Sequence, residues 1–177
     1  MQQVEAAVEP TADMGGLEEL YERHAPAAGR LAYLLTGDRA LAEDLVQEAF
    51  VRLVGRFRHL RVPDAFESYL RRTIVNLHTS WLRRRRLERA YLEREKAAVR
   101  PADPGMPDIG GREELWRALQ GLPARQRAAV VLRFYEDLSE RETADVLGSS
   151  PAAVKSLVAR ATGTLRARIG SERLHDH

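Results

Sequence analysis

Four consecutive arginines, Arg83 to Arg86, close a stretch in which Arg71, Arg72, Asn76, Ser80, Arg83 and Arg84 recur at helical spacing. Guanidinium groups present a planar fork of donors that fits phosphate, and Asn and Ser side chains hydrogen-bond readily to nucleic acid. A ridge of this density is suited to phosphate contacts whose affinity falls steeply with salt. A second pattern lies nearer the C-terminus, where Ala152, Lys155, Ser156, Ala159 and Arg160 share one helical face. Small residues at the start of a helix allow close approach to base edges, while Lys and Arg reach bases or phosphates. A third group, Asp44, Gln47 and Glu48, sets two carboxylates beside a carboxamide. Carboxylates do not bind DNA, so that face suits a protein partner of complementary charge. Phe66, Tyr69 and Trp81 invite a base-stacking reading, but their helical spacing assigns most of them to a core.

Enzyme chemistry finds no foothold in the chain. There is no Gly-rich phosphate loop, no G-x-S-x-G and no H-E-x-x-H. The five histidines are scattered, and His175-Asp176-His177 reads as a frayed tail. With no cysteine there is neither a disulfide framework nor a thiolate zinc site. The expectation is a protein that is not an enzyme, with no cofactor, metal or small-molecule substrate.

These groups must be carried by helices, because helix signals are plentiful and strand signals scarce. Leu17 to Leu35 repeats apolar residues at helical spacing, and Pro26 inside it predicts a kink or a break. Asp38 is placed to cap a second helix whose apolar stripe is Leu41, Leu45, Val46, Ala49, Phe50 and Leu53. After a turn at Val62-Pro63, Asp64 and Glu67 make a capping-box-like start to a long third helix. Its apolar face reads Phe66, Tyr69, Leu70, Thr73, Ile74, Leu77 and Trp81, opposite the arginine ridge. Residues 97–111 carry three prolines and three glycines without periodicity, and read as a flexible linker. Beyond it, Glu113 to Leu119 forms a short helix that Gly121-Leu122-Pro123 ends, and ARQRAAVVLRFYE forms the next. Ser139 and Glu142 make an S-x-x-E capping box for a helix ending at Leu147-Gly148, and Ser150-Pro151 starts the last. Val154, Val158, Ala161 and Leu165 line its buried face. The pair is a helix-turn-helix.

The fold expected is therefore all-α: an acidic tail over 1–15, a helical domain over 16–96, the linker 97–111, a helix-turn-helix domain over 112–170 and a tail over 171–177. The hydrophobic fraction of 44% is ordinary for a protein with a core. No run approaches the roughly 20 apolar residues of a membrane span. The N-terminus lacks a basic start and apolar centre, so a soluble cytoplasmic protein is expected. The net charge of +2 hides an asymmetry: no Lys or Arg occurs before Arg23, whereas basic residues dominate from Arg52 to Lys96. Only Lys96 and Lys155 are Lys among the basic residues. Bidentate contacts would use such an arginine bias, although a GC-rich genome produces it as well and is the plainer cause.

Two nucleic-acid-binding helical units joined by a short linker resemble the extracytoplasmic-function (ECF) group of the sigma-70 family, and within it the sigma-E-like subgroup. GDRALAEDLVQEAFVRL (37–53) is similar to the family's region 2.2, which binds the clamp helices of the polymerase β′ subunit. The resemblance makes Asp44, Gln47, Glu48 and Phe50 the expected contacts with core polymerase. AFESYLRRTIVNLHTSWLRRRR (65–86) resembles regions 2.3 and 2.4, which open and read the −10 promoter element. It implies −10 contacts at Arg71, Arg72, Asn76, Ser80, Arg83 and Arg84, and a flipped base received by the loop His59 to Asp64. Residues 122–169 resemble region 4, which reads the −35 element and sits on the β flap, implying −35 contacts at Ala152, Ala153, Lys155, Ser156, Ala159 and Arg160. Three motifs in the family order are specific together. The chain departs at Ser80, where relatives often have Asp, at Ala153, where Thr is frequent, and at Leu157, where Arg is frequent. Those departures bear on promoter sequence and not on the general role.

The resemblance implies a transcription initiation factor with three partners: core RNA polymerase, promoter DNA and an anti-sigma protein. Two other readings remain open to the residues alone. A dimeric helix-turn-helix regulator would bind a palindrome without polymerase. A helical adaptor would show little salt-dependent binding to DNA. The arginine-dense third helix favours the initiation factor over both, since a dimerisation helix gains nothing from such a surface.

Overall fold

A computed structural model of the chain describes residues 14–57, 63–92 and 112–172, and among these every regular element is helical. The N-terminal unit comprises α1 (Met14–Thr36), α2 (Arg39–Phe57) and α3 (Pro63–Leu92). The C-terminal unit comprises α4 (Arg112–Gln120), α5 (Ala124–Val130) with a π-helical turn Val131–Tyr135, α6 (Glu140–Leu147) and α7 (Pro151–Glu172). The predicted linker, 97–111, lies outside the described residues, as do 1–13 and 173–177.

Local chemistry sets most boundaries. At the end of α1, Gly37 turns the chain with φ +69° and its N–H donates to the Tyr33 carbonyl at 2.9 Å. The positive φ favours glycine there, and a Cβ would also have to displace the Gln120 carboxamide, whose Oε1 lies 2.5 Å from its position. Asp38 then caps α2, its Oδ1 accepting from Leu41 N–H at 3.1 Å. The capping box of α6 is complete: Ser139 Oγ accepts from Glu142 N–H, and Glu142 Oε2 accepts from Ser139 N–H at 2.8 Å. These two bonds hold the Glu142 carboxyl below its ordinary pKa. Gly148 closes α6 in the left-handed region, and Ser150 Oγ accepts from Ala153 N–H at the start of α7.

Four expectations change. α1 runs through Pro26 without a break, because both Pro26 and Glu22 are exposed and water can take the carbonyl that the ring leaves unpaired. It also begins at Met14, inside the stretch expected to be tail, and α7 extends to Glu172. α3 begins at Pro63, a residue whose fixed φ suits a first helical position, so Asp64 lies within the first turn and not at the cap. The helix predicted over ARQRAAVVLRFYE widens into a π turn, closed by Glu136 N–H on the Val131 carbonyl at 3.1 Å.

The predicted stripes meet in one core. Leu35 of α1, Ala49 of α2 and Ile74 of α3 are each fully buried, and Phe50 and Phe66 pack with ring centroids 5.7 Å apart. The C-terminal unit adds Leu132, Val154 and Ala161, also fully buried. The core is continuous between the units, which pack along a seam. Tyr33 of α1 stacks on Trp116 of α4, with centroids 4.6 Å apart and rings 17° from parallel. Gln120 Nε2 donates to the Leu34 carbonyl at 3.1 Å, and Arg30 Nε donates to the Tyr135 hydroxyl at 3.0 Å. Arg71 of α3 pairs with Glu136 at 2.7 Å, with the side chains only 12% and 14% exposed.

Candidate nucleic-acid interface

The polar face of α3 is built as its spacing requires. Arg72, Asn76, Ser80 and Arg84 follow at intervals of four, so they form a line that drifts slowly round the helix, with Arg83 beside its end. All five are exposed, and among the described residues none of Arg72, Arg83 and Arg84 forms an ion pair. Over 30 residues α3 is about 45 Å long, enough to present this line as a rod of positive charge. Arg85 departs from the run, because its guanidinium lies over the Trp81 ring at 4.9 Å. That cation–π contact occupies one of the four arginines and fixes the orientation of the indole, a feature sequence reasoning missed although the i, i+4 spacing signals it.

Arg71 does not belong to the exposed ridge. It donates to Glu67 at 2.9 Å and to Glu136 at 2.7 Å and is almost covered, so in this arrangement it holds the seam and offers no free fork to phosphate. The loop expected to receive a flipped base falls largely outside the described residues; of its members, Pro63 and Asp64 are the first two residues of α3.

On α7 the structure separates two faces. Ala152, Lys155, Ala159 and Arg160 are exposed, Ala153 and Ser156 are half-buried, and Val154 and Ala161 are inside. Neither Lys155 nor Arg160 has an ion pair among the described residues, so both cations are available to a ligand. α6 packs against α7, and the left-handed Gly148 makes the turn between them.

The acidic face of α2 splits in the same way. Asp44, Gln47 and Glu48 are exposed; Glu48 carries a surface ion pair with Arg52 at 2.5 Å. Phe50, expected among the same contacts, is 4% exposed between Tyr21 and Phe66. It belongs to the apolar stripe, and no partner reaches it without opening the core.

Two buried polar groups were not singled out from the sequence. His78 of α3 is 2% exposed, and burial together with the charge of Arg127 lowers its pKa to about 4. Arg127 of α5 is itself buried, donating to the Gln120 carbonyl at 3.1 Å and to the Gln120 side chain. A polar residue on an apolar stripe is the only trace of either in the sequence. Beside the Arg71–Glu136 pair a crevice of about 20 Å³ holds little more than one water, far below the size of a substrate pocket.

The comparisons with known proteins fall on these two units. Residues 20–88 match the family model for Sigma-70 region 2, and residues 112–165 match that for Sigma-70, region 4. The chain is 36% identical over 149 residues to the RNA polymerase sigma-E factor of Streptomyces coelicolor, covering 84% of this chain and 83% of that one. It is 36% identical over 160 residues to the ECF RNA polymerase sigma factor SigE of Mycolicibacterium smegmatis, covering 88% and 62%. Among solved structures, the sigma factor RpoE of Bartonella quintana, in complex with the anti-sigma factor NepR, matches with a TM-score of 0.69 at 25% identity, over 88% of this chain and 97% of that one. With both of its helical units matched, in order, to the two defining regions, the chain belongs to the sigma-70 family of RNA polymerase sigma factors, in the ECF group.

Proposed function

We propose that this sigma factor divides promoter recognition between its two exposed cationic faces. Arg72, Asn76, Ser80, Arg83 and Arg84 meet the −10 element, and Lys155 and Arg160, with Ala152, Ala153, Ser156 and Ala159 close to the bases, meet the −35 element. Asp44, Gln47 and Glu48 dock on the polymerase, where basic side chains of the partner complement them. The observation that carries this reading is that the cations of both faces form no ion pair among the described residues while their apolar backs are buried.

The factor does no chemistry of its own. Strand opening requires only that it bind unpaired promoter DNA better than duplex, since a ligand shifts an equilibrium by its differential affinity. No described helix is long and apolar enough to cross a membrane, and the working site is the cytoplasm, where the polymerase acts. A solved relative is held by an anti-sigma factor, and we extend that partner class to this chain.

The test is transcription from genomic fragments with sigma-free core polymerase. Transcripts starting at a few defined sites are expected with the wild type and loss of most of them with Arg83→Ala/Arg84→Ala. Promoter affinity of that variant holoenzyme should show a salt slope flatter by about 1.5 to 2, as for two lost phosphate contacts. Tight binding of the chain alone to a palindrome, with no transcripts, would overturn the proposal.

A further inference from the structure

The contact between α4 and the end of α1 uses groups that neither the DNA faces nor the polymerase face explains. Leu34 lies in the last turn of α1, and the N–H four residues on, that of Asp38, donates instead to the Thr36 hydroxyl at 3.2 Å. Its carbonyl is thereby left over at the helix end. Gln120 of α4 takes it up, Nε2 donating to the Leu34 carbonyl at 3.1 Å. The same carboxamide lies against Gly37, its Oε1 2.5 Å from where a Cβ would stand. One turn earlier on α4, Trp116 stacks on Tyr33 of α1 with centroids 4.6 Å apart. Trp116 and Gln120 together seat α4 on the last turn of α1.

Arg127 sets which way the carboxamide points. Its Nη1 donates to the Gln120 backbone carbonyl at 3.1 Å and to the Gln120 Oε1. A guanidinium has no acceptor, so the amide must turn its oxygen to Arg127 and its nitrogen to Leu34. Arg127 is 9% exposed, its Nε has no acceptor, and among the described residues no carboxylate pairs with it. For the α4–α7 unit alone a glutamate at 120 would be the better neighbour, since a buried cation is best met by a counter-charge. An amide is the better choice only where the Leu34 carbonyl must be reached. An ionised carboxylate has no proton to donate and would face the negative end of the α1 dipole.

We propose that Trp116 and Gln120 form an autoinhibitory plug, oriented by Arg127, that holds the α4–α7 unit on α1 and keeps the free factor closed. Two faces that read promoter elements about 25 base pairs apart must separate, whereas the plug holds them in one packed body. The residue at 120 thus gives up stability in its own unit for a contact that the working form has to break. That consequence rests on the proposed function; the plug itself is measured without polymerase or DNA.

The chain has no cysteine, so Ala40→Cys on α2 and Ala167→Cys on α7, both at exposed positions, take a pair of fluorophores in the full chain. Energy transfer at fixed pH and salt is compared between this parent and Gln120→Glu, with far-UV circular dichroism followed in parallel. The open-to-packed ratio should rise roughly tenfold at unchanged helicity, the effect of one lost hydrogen bond near the upper end of the usual range. Trp116→Leu, which keeps apolar bulk and loses the stack, should raise it roughly threefold. The dissociation constant of the holoenzyme should fall by the same factors, because apparent affinity scales with the competent fraction. This second readout responds even where the parent is almost wholly packed. Unchanged transfer together with unchanged holoenzyme affinity in Gln120→Glu overturns the plug, and opening without tighter binding overturns its inhibitory role. Should Gln120→Glu lose helix, Trp116→Leu decides by the same two readouts. If parent and variants all fail to bind core polymerase, the proposed function falls, and energy transfer alone decides whether the plug holds the units together.

Discussion

Phe50 and Glu48 stand two residues apart on α2, yet the structure gives them opposite environments: Phe50 is inside the core and Glu48 is on the surface with Arg52. Their truncations should therefore separate stability from partner binding. Phe50→Ala removes a ring packed between Tyr21 and Phe66 and should cost about 3–5 kcal/mol, the range for truncating a buried aromatic. Glu48→Ala loses an exposed ion pair worth about 0–1 kcal/mol and should leave the denaturation midpoint nearly unchanged. It should nevertheless weaken association with core polymerase, measured as the dissociation constant of the holoenzyme. A normal midpoint for Phe50→Ala, with lost polymerase binding, would restore Phe50 as a contact. The two roles could not be told apart in the sequence because Phe50 satisfied both: it fell on the apolar stripe and inside the region 2.2 resemblance.

At the scale of elements, the legible features were those whose causes lie within a few residues. Asp38, the Ser139/Glu142 box, Gly148 and Ser150 were read from spacing alone, since a cap satisfies donors two or three residues ahead of it. Ser139→Ala should consequently cost about 1 kcal/mol, read as a lower urea midpoint with unchanged m-value. A loss below a few tenths of a kcal/mol would mean that tertiary contacts, and not the box, hold the start of α6. The π turn was not legible, because its advantage is distant. The widened turn carries Tyr135 and Glu136 to partners more than sixty residues away, Arg30 on α1 and Arg71 on α3. Pro26 is the converse case, a strong local signal outweighed by packing on both sides of α1.

For the whole molecule the question is size. The described residues, about 135 of them, have in packed form a radius of gyration of roughly 14 Å, hence a diameter of about 37 Å. Promoter elements centred at −10 and −35 are about 25 base pairs apart, roughly 85 Å along B-DNA. The packed form cannot cover both, so the seam must open for the proposed function, and its ion pair opposes that opening. Nothing in the sequence linked Arg71 to Glu136; the DNA ridge explained Arg71 by spacing, and only the tertiary structure puts a carboxylate against it. Arg71 has two carboxylate partners, Glu67 and Glu136, whereas Glu136 pairs with Arg71. Removing the arginine strands a nearly buried carboxylate; removing Glu136 leaves Arg71 still paired. Breaking one side of a buried pair costs up to about 3–5 kcal/mol, and partial exposure here reduces that. Arg71→Ala should thus open the seam more than Glu136→Ala, and small-angle scattering at neutral pH should show a larger radius of gyration in that order. As a seam residue, Arg71 should be dispensable for promoter-dependent transcription, and its loss should raise affinity for core polymerase. A compact Arg71→Ala chain that forms holoenzyme but loses transcripts as Arg83→Ala/Arg84→Ala does would sink the seam role and return Arg71 to the promoter ridge.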